Sequence, residues 1–150
     1  LNKFFKSHLP EYRWKERANA SIYVAGSDSL LTETKRMLKQ NIPKEEILQK
    51  LNRSNPLNLV ISQGIYERGE HMFVDRAVWK KNTDSEVIIG NVHVLVQMHD
   101  VLPARPKTLD EVRGIVLTDY QNFLEKEWVR ELRQKYPVKV NHAEFKKLVR

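Results

Sequence analysis

The chain has 150 residues, of which 41% are hydrophobic, a net charge of +7 and no cysteine. These totals suit one domain with an appendage and exclude thiol catalysis, disulfides and thiolate metal sites. No run of about 18 apolar residues occurs, so nothing reads as membrane-spanning. The excess charge lies mostly in residues 1–24 and 137–150 and lacks the interleaved aromatics of a single-strand binder, which argues against a nucleic-acid partner.

The chain begins at Leu1 rather than Met and reads as a piece of a longer protein. Its opening LNKFFKSHLPEYRWKER spaces Phe4, Phe5 and Leu9 as a helix does, until Pro10 halts the pattern. ASIYVA at 20–25 is a short strand. Ser27 or Asp28 caps a helix to about Gln40, with Leu30, Leu31, Thr34, Met37 and Leu38 on one side. Pro43 in a first turn, with Glu45 and Glu46 at the positive helix end, opens a shorter helix that stops near Asn52. RSNPLN is a loop, and LNLVISQGIYERG is a strand running into a turn at Gly69.

Residues 73–79 suit one helical turn or an irregular pocket wall. SEVIIG and NVHVLVQMHDV form one strand, or two around a tight turn at Gly90-Asn91. Strand alternation sends Val92, Val94, Val96 and Met98 toward a core, and His93, Leu95, Gln97 and His99 to the other, mixed face. His99 falls at the strand end and is expected in solvent. Pro103 and Pro106 bracket a stiff linker. Thr108-Leu-Asp-Glu111 is a capping box, and apolar residues from Val112 to Tyr136 recur at three- and four-residue steps. That pattern predicts one helix of about 28 residues, about 42 Å long. Pro137 ends it, and VKV at 138–140 suits a short added strand. The expected fold is α+β: a small antiparallel sheet with helices packed on one face, plus a long C-terminal helix. The expected divisions are a lead-in at 1–17, a domain at 18–102, a linker at 103–107, and the helix with its tail at 108–150.

Chemistry is sparse. His93 and His99 stand about 20 Å apart in an extended strand and cannot share a metal ion. His71 near Glu67 and Glu70 has no metal-binding spacing, so neither metal nor cofactor is expected. No serine sits in a nucleophile elbow, and GIYERG lacks the frame of a phosphate loop. Tyr66, Met72, Phe73, Trp79 and His93 together suit a shallow apolar groove with a polar handle. On composition alone, Phe73 and Trp79 suit an ordinary core better.

The order Gly64-Ile-Tyr66-Glu-Arg-Gly69, Met72-Phe73-Val-Asp75 and Gly90-Asn-Val-His93-Val-Leu resembles the parvulin (PpiC-type) peptidyl-prolyl isomerases. The opening FFKSHLPEYRW, the stretch VLPARPKTLDEVRG and the long helix are similar to segments of SurA-like periplasmic foldases. The resemblance implies a parvulin/FKBP-like sheet with His93 on the active face and Met72 and Phe73 at positions that shape a proline pocket; Tyr66 and Trp79 are the further groove residues expected beside them. It puts Ser21 where the family's first-strand histidine stands, and Ser54 near its loop cysteine or aspartate. One of three polar catalytic positions is thus kept. Expected from the resemblance are unfolded or extended client polypeptides as partners, contact with the rest of a larger foldase through the C-terminal helix, a periplasmic location, and weak or degenerate isomerase activity. The alternative is a non-catalytic chaperone or interaction domain on the same fold.

Overall fold

A computed structural model describes residues 1–137, and the strand expected at 138–140 lies outside the described residues. The chain divides into two compact units, Arg13–Pro106 and a second formed by Leu1–Tyr12 with the chain from Lys107 onward.

The larger unit is built on a four-stranded antiparallel sheet. Its strands are β2 (Arg17–Ala25), β3 (Leu59–Glu67), β4 (Thr83–Ile89) and β5 (Val92–Leu102), in the order β3-β2-β5-β4. Two-residue strands β1 (Arg13–Trp14) and β6 (Arg105–Pro106) pair separately, so the segment expected to be a plain linker at 103–107 contains a strand. Between β4 and β5, Gly90 takes φ 60°, a left-handed conformation that costs a residue without a Cβ little.

Both sheet faces are covered, because β2 and β5 carry one apolar row and one mixed row that still includes Tyr23, Ala25 and Leu95. Tyr23, Ala25, Leu59 and Leu95 meet Leu31 and Met37 of α2 (Asp28–Lys39) and Ile47 of α3 (Lys44–Leu51). Ser27 caps α2, its hydroxyl accepting from the Leu30 N–H at 3.3 Å, and the buried Thr34 hydroxyl donates back to the Leu30 carbonyl at 2.7 Å. On the other face, Ala18, Ala20, Ile22, Val94, Val96 and Met98 meet Val74 and Ala77 in and after α4 (Met72–Arg76). The fold class is as expected, with the short α4 added on the face opposite the two main helices.

In the smaller unit, α1 (Asn2–Ser7) and the 27-residue α5 (Leu109–Lys135) enclose Tyr12, Val112 and Val116, with Leu1, Phe4, Phe5 and Leu109 packed around them. The capping box forms: the Thr108 hydroxyl accepts from the Glu111 N–H, while the Glu111 carboxylate accepts from the Thr108 N–H at 2.8 Å. Tyr12 donates its hydroxyl to Asp119 at 2.7 Å. Burial first, and then the Asp119 carboxylate, push the Tyr12 phenol up to about 12.

Candidate functional site

Three of the expected groove residues come together on the α4 face. Tyr66, Phe73 and Trp79 all pack, half-buried, on the core cluster that holds Val74 and Met98. The His71 ring bridges two of them, 4.8 Å from Tyr66 edge-on and 5.8 Å from Phe73. Trp79 donates its indole N–H to the Val74 carbonyl at 2.9 Å, and the Arg68 guanidinium lies 4.0 Å over its ring. Met72, in the first turn of α4, is exposed.

His93 does not join them. Its strand neighbour Val94 belongs to the α4-side cluster, so strand alternation sends the imidazole to the α2 side. There Nδ1 is 3.8 Å from an Asp28 carboxylate oxygen, is buried, and has no hydrogen-bond partner among the described residues. The expectation that His93 opens onto the hollow of Met72 and Phe73 is therefore corrected. A four-stranded sheet stands between them.

Ser21 lies on the α2/α3 side and is fully buried. Its hydroxyl oxygen accepts from the Lys44 ammonium at 2.9 Å and is 2.7 Å from His99 Nε2; Lys44 also donates to the Gln63 side-chain oxygen at 2.8 Å. The neighbouring Tyr23 phenol is held above its ordinary range by burial, with Ser21 acting in the opposite sense. His99, expected in solvent, belongs to this network: it lies on the same face as Gln97, the β5 partner of Ser21, beside the register shift between Asn19 and Ala20. A serine between a lysine and a histidine suits nucleophile activation, but an oxygen on a residue with no exposed surface meets no substrate. The network ties α3, β2, β3 and β5 together. Ser54 is elsewhere, exposed in the loop after α3, where its hydroxyl oxygen accepts from the Asn58 amide at 3.3 Å. Ser21, Ser54 and His93 thus occupy three separate places.

The smaller unit carries a feature that single-face helix counting overlooks. One side of α5 packs on α1: Phe4 lies 5.3 Å from Tyr120 and 5.5 Å from Phe123, ring centre to ring centre. A second row, Leu117, Leu124, Trp128 and Leu132, follows steps of seven and then four residues along the helix, and Tyr136 stands at its C-cap. These five side chains are 37–62% exposed. The signal was present in the sequence as too many apolar residues for one helix face.

Among the described residues no group of three or more His, Asp or Glu is arranged to hold a metal ion, and no helix is long and apolar enough to cross a membrane. No protein-family model matches the chain, and no curated protein matches it. Among solved structures it is similar to a chain from a pair of structurally related SurA-like chaperones of the human pathogen Campylobacter jejuni, the virulence factor PEB4 and the periplasmic protein Cj1289. That match covers 93% of this chain and 62% of the other, at 13% identity and a TM-score of 0.41.

Proposed function

We propose that this chain is a chaperone-like module that holds extended segments of unfolded polypeptides, working in the periplasm as part of a larger foldase. The observation that carries the reading is the exposed α5 row: Leu117, Leu124, Trp128 and Leu132 along the helix and Tyr136 at its C-cap, each 37–62% exposed. A contiguous exposed apolar surface of this kind marks an interaction site. Leu, Trp and Tyr along a rigid rod suit client segments that are themselves apolar and irregular. The resemblance of the sequence to parvulins and SurA-like foldases supports the same class of partner.

Prolyl isomerisation is the second reading, favoured by the gathering of Tyr66, Phe73 and Trp79 on one face. Rotation about an X-Pro bond faces a barrier of about 18–20 kcal/mol with no bond made or broken. An apolar surface that strips water from the prolyl carbonyl favours the twisted amide without any acid or base. His93 has no part in such a site, and Ser21 is sealed. The module is accordingly a holder first, with any isomerase activity weak and independent of both residues.

Light scattering from a chemically denatured, aggregating client tests the main reading. Wild-type chain suppresses the scattering, Trp128→Asp with Leu132→Asp loses most of that effect, and His93→Ala keeps it. Undiminished suppression by the α5 double variant would remove the proposal. An exchange assay on a proline-containing tetrapeptide tests the second: a rate enhancement lost in Phe73→Ala supports it, and an unchanged exchange rate with wild type eliminates it.

A further inference from the structure

β3 is an edge of the four-stranded sheet, and its nine residues pair with β2 without a register shift. Natural edges are blunted by lysine, proline or bulges. LVISQGIYE has none of these, and its only charge is the terminal Glu67. In an antiparallel ladder the N–H and C=O of one residue point to the same side. The Gly26 N–H donates to the Asn58 carbonyl and the Arg68 N–H to the Glu16 carbonyl, so even-numbered residues of this strand face β2 and odd-numbered ones face outward.

Among the described residues the outward groups are closed at both ends only. At Leu59, the Asn52 side chain accepts from the N–H and donates to the C=O, both at 2.9 Å, as a neighbouring strand would. At Glu67, the N–H donates to the Glu70 carboxylate at 2.7 Å. Between these stops, Ile61, Gln63 and Ile65 turn three N–H and three C=O groups outward. On the α3 side of this edge their side chains form the row Ile61, Gln63, Ile65, and the Lys44 ammonium sits on the Gln63 side chain.

We propose that Ile61–Ile65 is a strand-addition site for an extended peptide that carries apolar residues opposite Ile61 and Ile65 and an acidic residue opposite Gln63, within reach of Lys44. Only another extended backbone satisfies alternating donors and acceptors spaced along a strand. Pairing with a second copy is disfavoured by charge: an antiparallel two-fold centred on Gln63 would bring Lys44 up against its own copy. The inference rests on the polypeptide-holding reading and adds to it a backbone-directed site in the other unit.

The probe is the nine-residue peptide Val-Thr-Val-Thr-Glu-Thr-Val-Thr-Val, which sets valines opposite Ile61 and Ile65 when its glutamate stands opposite Gln63. At saturation, hydrogen exchange at the Ile61, Gln63 and Ile65 amides slows at least tenfold, while the Val60, Ser62 and Gly64 amides, already in the ladder, do not change. Replacing the central glutamate by lysine weakens binding at least fivefold with wild type, and this preference disappears in Lys44→Gln. Ile61→Lys with Ile65→Lys abolishes binding and keeps the fold. The proposal is overturned if the three amides stay unprotected, if both peptides bind wild type alike, or if protection appears without peptide and grows with protein concentration, the mark of a second copy. The α5 variants leave this protection untouched, so failure here and failure of the holding reading are told apart.

Discussion

Ser21→Ala separates a structural role for this serine from a catalytic one. The substitution removes the acceptor of the Lys44 hydrogen bond at 2.9 Å and the partner of His99 at 2.7 Å. A hydrogen bond to a charged group contributes about 1.5–3 kcal/mol and a neutral one about 1 kcal/mol, so the gross loss is about 2.5–4 kcal/mol. Lys44 keeps Gln63, and both Lys44 and the half-buried His99 reach water, which offsets part of the loss. The expected net destabilisation of the larger unit is about 2 kcal/mol, or about 1 M in the urea midpoint for a urea slope of about 2 kcal/mol per M. The assay is equilibrium urea unfolding in a Trp128→Phe background, so that Trp14 and Trp79 report on the larger unit alone. A midpoint change below about 0.2 M would refute the network as described. A change of the expected size with client holding intact supports a structural serine.

Three further outcomes follow from named contacts. The Tyr12 phenol is raised from 10.0 to about 12 in the folded chain, by burial and then Asp119, so its contribution to stability is fully present below pH 10 and is lost as the pH rises toward 12; Tyr12→Phe flattens the alkaline unfolding curve of the smaller unit over that window, read by tyrosinate absorbance. Thr108→Ala breaks the capping box and lowers stability by about 1 kcal/mol in thermal unfolding followed by helix ellipticity. His93→Leu replaces a buried nitrogen without a described partner by apolar carbon and raises stability, by up to about 1 kcal/mol in urea unfolding, whereas a histidine needed to shape the sheet would give a loss.

The elements that read clearly in the sequence are those whose signal is local. Thr108 and Glu111 stand three residues apart and announce the start of α5; Ser27 does the same for α2; Gly90 marks the turn of the last hairpin. The alternation of β5 was equally plain, and it correctly separates Val94 and Val96 from His93 and Leu95. Alternation does not say what covers each row. Here both rows are covered, one by α2 and α3 and the other by α4, so His93 and Phe73 part company although the family resemblance assigns both to one pocket. The Ser21–His99 contact spans 78 residues and depends on which strand pairs with which, and that leaves no local trace. Lys44, the third member, looks in sequence like any first-turn helix residue. The doubled apolar face of α5 is visible as composition, in the run of apolar residues from Val112 to Tyr136, but three- and four-residue steps alone do not say that they form two rows.

The account stands most directly on α5. Fluorescence anisotropy of a labelled, permanently unfolded polypeptide, titrated with wild type, with Trp128→Asp/Leu132→Asp and with His93→Ala, measures what that helix row does. Affinity that falls at least tenfold in the α5 variant and stays within twofold in His93→Ala is the expected result. Equal affinity for wild type and the α5 variant, with a loss confined to His93→Ala, would contradict it.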